Sequence, residues 1–355
     1  MTVRDGDVHG LPDPDEPTPD LPTPSWVDRL QVVAARAPGG PWSAYLAIGL
    51  ALAGLMVTAR ALAGDPGAGA WDRVASAAYP VYALALMDLL DRAALRALHA
   101  FRPALPDDHE RIAWHRSRLT TLPARPTLAA GAAFALLSVA GMVADPVGRG
   151  IAGSPPGLVL VRGVFDAIGI AVLGTLLFHT LHQLRAVVDV LAAATRLDLF
   201  RPGPLYAFSG VTAATGIGLL AIPVYGLLTD PAGWSGPESA LFIALVMVAA
   251  TAGFLLPLLG AYRRIRGDRD RLAAEVGGRL QDAMRELHDR LDAGDPDGVK
   301  RADTAVSALA REWELIQRLP VSPWRATTLR AFVSALLVPL ALWFVTRLLE
   351  RVVPG

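Results

Sequence analysis

Cysteine is absent from the chain, and lysine occurs once, as Lys300. The first absence excludes a disulfide-stapled scaffold, c-type haem attachment and cysteine-ligated metal clusters. Charge is scarce too: 19% of the 355 residues are charged and 53% are apolar, where soluble globular chains carry about 25% charge. With a mean hydropathy of +0.39, the chain is too apolar to be soluble or globally disordered, and it is too long for one membrane anchor. Alternating strands of the barrel type are also missing. So are a phosphate-binding G-x-x-x-x-G-K-[ST] loop, a dinucleotide G-x-G-x-x-G, a G-x-S-x-G elbow, an H-E-x-x-H pair and the kinase signatures. No cofactor is implied, and no nucleophile, base and orienting group can be assembled from spacing.

What is present is a set of long apolar runs. A spanning helix needs roughly 20 mostly apolar residues, and seven stretches approach that length: 42–63, 71–91, 122–144, 157–179, 208–229, 239–262 and 327–346. The second is interrupted by Pro80 and contains Asp88, and the last is short and flanked by arginine. Because no lipid-facing backbone group can hydrogen-bond to water, the runs are expected to be helices. The expected fold class is therefore all-α, a polytopic membrane protein with about seven transmembrane helices.

Orientation follows from the 33 basic residues, of which roughly 27 fall on one side of this alternation and 6 on the other. The poor side holds Arg60, Arg73, Arg149, Arg162, Arg347 and Arg351. Basic loops stay in the cytoplasm, so the N-terminus is expected inside and the C-terminus outside, in a bacterial plasma membrane. The same loops are expected to meet anionic lipid head groups rather than nucleic acid.

Residues 1–24 carry six acids, six prolines and one arginine with no apolar core. They are expected to form a disordered cytoplasmic tail with no cleavable signal, either solubilising or docking on the protein's own basic loops. Residues 25–40 suggest a short interfacial helix with an apolar side and Trp26. Small residues recur at 129–133 and at Gly210, Thr212, Ala213, Ala214, Thr215, Gly216 and Gly218, which allow close helix packing.

Ionisable side chains inside spans are expensive unless paired or facing a cavity, so they mark the candidate site. Arg162 and Asp166 lie four apart on the fourth run and share a helix face, as a self-neutralising pair or as a ligand or proton site. His179 and His182 lie three apart near its inner end, with Asp189 beyond. Two histidines could contribute to a metal site or sense pH, but no further metal ligands come with them. Asp88 suits a snorkelling or capping role beside Asp91, Arg92 and Arg96.

Residues 263–325 are too long for a connector. In the second half Val299, Ala302, Val306, Leu309, Trp313 and Ile316 are spaced 3, 4, 3, 4, 3, an a/d seam. In the first half Ala273, Val276, Leu280, Ala283 and Leu287 repeat that spacing before Leu291 shifts it. Gly294-Asp295-Pro296 between them supplies a helix stop, an N-cap and a first-turn proline. The spacing predicts a cytoplasmic antiparallel hairpin on the order of 40 Å long, closed on itself, with a remaining face for a second copy or a cytoplasmic protein. Residues 41–262 would form six membrane helices before it, and 326–355 the last helix with a short outer tail.

The run from Leu199 through Arg201-Pro202-Gly203-Pro204 to Ser209, and the run Pro323-Trp324-Arg325-Ala326-Thr327-Thr328-Leu329-Arg330, resemble segments of uncharacterised multi-pass bacterial inner-membrane proteins. The likeness covers the chain from about residue 157 onward and implies a location without an activity. Residues 180–198 are expected to continue the fourth helix into the cytoplasm beside the hairpin. The sequence thus favours a membrane sensor or scaffold that uses the hairpin for docking or oligomerisation; a transporter or channel using Arg162 and Asp166 is the alternative.

Overall fold

The computed structural model describes residues 22–64, 70–147, 151–195, 203–230, 234, 237–320 and 322–352. The expected acidic tail, apart from 22–24, and the first part of the 199–209 run lie outside the described residues. Ten α-helices follow in order: α1 Trp26–Ala35, α2 Pro41–Leu62, α3 Ala70–Phe101, α4 His109–Thr120, α5 Ala124–Ala144, α6 Pro156–Ala192, α7 Ala207–Thr229, α8 Pro237–Asp292, α9 Pro296–Gln317 and α10 Ala326–Val352. Among the described residues the only strand-like pairing is an isolated bridge from Pro24 to Pro123. The all-helical architecture is thus as the apolar runs and the backbone's hydrogen-bond demand require.

Among the described residues six helices, α2, α5, α6, α7, α8 and α10, are long and apolar enough to cross a membrane. The expected second span falls in α3, which is not among them. Its second half carries Asp88, Asp91, Arg92 and Arg96, and it packs against α2, α6 and α7. A helix sheltered by neighbours needs less apolar surface than one bathed in lipid. Elsewhere apolar side chains face outward, including Leu46 and Leu50 of α2, Leu136 of α5, Leu160 of α6, Leu245 of α8 and Leu337 of α10. So wide an exposed apolar surface suits lipid rather than water.

The bundle is organised around α7. In its apolar stretch 67% of residues are buried, against 17% in α2, α5 and α6 and 11% in α10. Helices α3, α6, α8 and α10 all touch it, and its small residues set how closely they approach. A Cβ added at Gly216 would stand 2.6 Å from the Phe332 ring of α10, and one at Gly218 would stand 2.6 Å from the Leu86 side chain of α3. Tyr82 of α3 donates to the Gly218 carbonyl at 2.7 Å, fixing the α3–α7 register at the point where the glycine admits it. Phe254 and Phe332 stack at 4.3 Å, closing the packing of α8 on α10.

Beyond the bundle α8 continues without a break into a stalk and returns as α9. The seam of α9 turns inward as its spacing requires: Ala302 and Ile316 are buried, Val299, Val306 and Leu309 half-buried, while Trp313 stays 41% exposed. On the α8 arm Val276 is buried and Ala273, Leu280, Ala283 and Leu287 are half-buried, and Leu291 drops out of the seam. The turn forms as the residue types dictate. Gly294 takes φ 65°, which favours glycine, and the Asp295 carboxylate accepts from the Gly298 backbone N–H at 3.0 Å behind Pro296 at the first helical position. That hydrogen bond, with Arg290 nearby, holds the Asp295 carboxyl below its usual range.

The entry helix α1 packs one side against the protein. Ser25 and Asp28 form a reciprocal capping box, and Val27 and Ala34 are fully buried against the protein. Val32 and Val33 alone keep a largely exposed apolar face. The chain before it is pinned by the Ala124 N–H, which donates to the Thr23 carbonyl at 3.1 Å.

Replacing Gly216 by valine is expected to force α7 and α10 apart and destabilise the fold by about 1–3 kcal/mol, measured by thermal unfolding in detergent. Gly210→Ala, where a Cβ meets nothing within 4 Å, is expected to leave the midpoint unchanged or slightly raised.

Candidate functional site

Asp91, on α3, is 7% exposed and sits where three other helices converge. Its Oδ1 lies 2.8 Å from His179 Nε2 and accepts from Gln183 Nε2 at 3.1 Å. Its Oδ2 accepts from Gln31 Nε2 of α1 at 3.0 Å. The Gln183 amide also donates to the Leu119 carbonyl at the end of α4, at 3.0 Å. One carboxylate therefore joins α1, α3, α4 and α6. His179 and Gln183 stand four apart, so one face of α6 delivers both.

The tautomer of His179 follows from its partner. A carboxylate oxygen can only accept, so Nε2 carries the proton, while Nδ1 is buried without a partner. Gln183 Oε1 and the Tyr45 hydroxyl of α2 are buried without partners as well. Beside this node Asp28 accepts from the Leu122 N–H at 3.3 Å. Burial raises the Asp28 carboxyl above its usual value, the Ser25 and Leu122 hydrogen bonds oppose the rise, and the Asp91 charge adds to it.

Of the four residues singled out in the sequence, only His179 belongs to this node. The ring of His182 stacks on Phe178 of the same helix at 6.0 Å. The two histidines share a helix face without sharing a ligand. Asp166 lies roughly 20 Å back along the same helix at 1.5 Å per residue and accepts from Ser138 Oγ of α5 at 2.6 Å. Half-buried Arg162 lies one turn before it. Arg162 and Asp166 thus stand apart from the two histidines along α6. Among the described residues no group of three or more His, Asp or Glu could hold a metal ion.

Asp88 pairs with Arg92 at 2.7 Å on the outer side of α3, as a boundary residue would. On α4, Arg118 reaches Asp189 of α6 at 3.6 Å and lies 5.6 Å from the Trp114 ring. Neighbouring His115 is buried, and burial lowers its pKa, with Asp189 opposing and Arg111 reinforcing the shift.

Asp91, Gln183 and Gln31 escaped the sequence reading. Asp91 stands in a run with Asp88, Arg92 and Arg96 that suits a solvated helix end. The available signal was the i, i+4 pair His179 and Gln183, two polar groups on one face of an otherwise apolar helix. No family model matches the chain, and no curated protein or solved structure matches it either.

Asp91→Ala and His179→Ala are each expected to destabilise the protein by about 3–5 kcal/mol, since each strands buried polar partners. The double variant should cost clearly less than the sum. Equilibrium unfolding in detergent of all four proteins measures this, and strict additivity would rule out a shared node.

Proposed function

We propose that this is a multi-pass protein of the bacterial inner membrane that acts as a sensor or scaffold, its cytoplasmic α8–α9 hairpin docking a partner protein or a second copy. The observation that carries this reading is the continuity of α8, whose 56 residues join an apolar stretch to the stalk in one helix. After the seam is closed, Met284, Leu291, Trp313 and Leu315 are still 41–61% exposed on the stalk, apolar surface that a partner would cover. Seven crossings, with α3 as the second, agree with the distribution of basic residues, which supports a hairpin and an N-terminus on the inside. At 32 residues, α3 is about 48 Å long, long enough to cross while sheltered by its neighbours.

Deleting residues 267–318 tests the reading. Ile265 and Leu319 pack in the same apolar cluster, so the shortened chain can rejoin there. Chemical cross-linking and co-purification should lose the associated protein or second copy while membrane insertion persists; undiminished association would exclude the hairpin as the docking element.

A transporter is the second reading, supported by the polar stations that Asp166–Ser138 and Asp91–His179 form along α6. Under it Asp166→Asn changes flux in reconstituted vesicles with insertion intact. Flux equal to that of the unsubstituted protein would remove Asp166 from any pathway.

A further inference from the structure

A second polar cluster lies between α4 and α6. Its members come from both helices: His115 and Arg118 from one, His182, Arg185 and Asp189 from the other. Arg118, Arg185 and Asp189 all act electrostatically on His182, and Asp189 acts on His115. Asp189 is the acid among them, and it is engaged by Arg118. Arg185 is left on an exposed stretch of α6.

Three polar atoms here are buried without a partner: Arg118 Nε, His115 Nδ1 and His182 Nε2. The Arg118 atom is an obligatory donor, and the histidine nitrogens can donate. His115 is only 6% exposed, so water does not freely satisfy it. Buried donors call for an acceptor with several oxygens.

The surface leading to this cluster is apolar. Leu177 and Leu181 are 36% and 49% exposed, and Arg185 follows at the same four-residue step, so all three stand on one stripe of α6. Trp114 lies at the Arg118 side and Phe178 under His182. An apolar stripe that ends in cations and aromatic rings has the order of a phospholipid, acyl chain followed by phosphate.

We infer that the polar cluster between α4 and α6 is a binding site for the phosphate of an anionic phospholipid, held by Arg118, Arg185 and His182, with an acyl chain along Leu177 and Leu181. The site rests on α6 crossing the membrane and not on the hairpin.

The full chain, reconstituted in nanodiscs of phosphatidylcholine mixed with phosphatidylglycerol and then extracted, is examined by native mass spectrometry for retained lipid. The unsubstituted protein should retain phosphatidylglycerol in preference to phosphatidylcholine. Arg185→Gln, at an exposed position, should reduce that preference roughly fivefold, and adding Arg118→Gln should reduce it by a similar factor again. Arg185→Lys should keep most of it, and Arg279→Gln on the stalk should change nothing. Should Arg118→Gln impair folding, Arg185→Gln against Arg185→Lys still decides the question. A preference unmoved by Arg185→Gln, or lost equally with Arg279→Gln, overturns the site. A further arm in phosphatidylcholine alone adds inorganic phosphate; if phosphate binds there and abolishes phosphatidylglycerol retention in the mixed discs at similar concentration, the site takes free phosphate and the lipid assignment fails.

Discussion

A carboxylate removed from water must find its hydrogen bonds within the protein, and Asp91 imposes that demand toward one end of the bundle. Its two oxygens recruit Gln31, His179 and Gln183, and Gln183 extends the network to the Leu119 carbonyl. Each partner comes from a different segment or a different turn, so the segments cannot slide without stranding a buried polar group. Lipid supplies no such register. Apolar helices slide past one another at little cost, because tails and side chains are equally greasy. The node therefore fixes what the apolar surfaces leave free, and through Gln31 it ties α1 to the body of the protein.

At the middle of the bundle the same problem is solved by shape. Helix α7 gives up side chains at Gly216 and Gly218 so that Phe332 and Leu86 approach its backbone, and Tyr82 secures the contact through a hydrogen bond to the Gly218 carbonyl. The polar node joins one end of the bundle, the glycines its centre.

The helices were legible because apolar runs of spanning length leave the backbone no alternative. The hairpin was legible in more detail: the seam residues of both arms, the slip at Leu291 and the capped turn at Asp295 all follow from local spacing and residue type. The status of the second apolar run was less so, since whether a helix with Asp88 and Asp91 faces lipid or neighbours depends on packing that no window of sequence contains. The candidate site suffered in the same way. Spacing along one helix put His179 beside His182, but the partner of His179 lies on α3, 88 residues distant in the chain, while His182 stacks on Phe178 of its own helix. Asp91 was hidden by its charged neighbours, which resemble a solvated helix end until α1 and α6 close over it.

Helix α8 contains one proline, Pro257, within its apolar stretch. Proline removes a backbone hydrogen bond and is where long helices bend. From there to Asp292 the helix is unbroken for about 50 Å at 1.5 Å per residue. A rod of that length is a mechanical amplifier: a tilt of about 5° at Pro257 displaces the far tip by about 4 Å, the size of a side-chain contact. Small rearrangements among the membrane helices are thereby converted into steps large enough to make or break a packing interaction at the distal end.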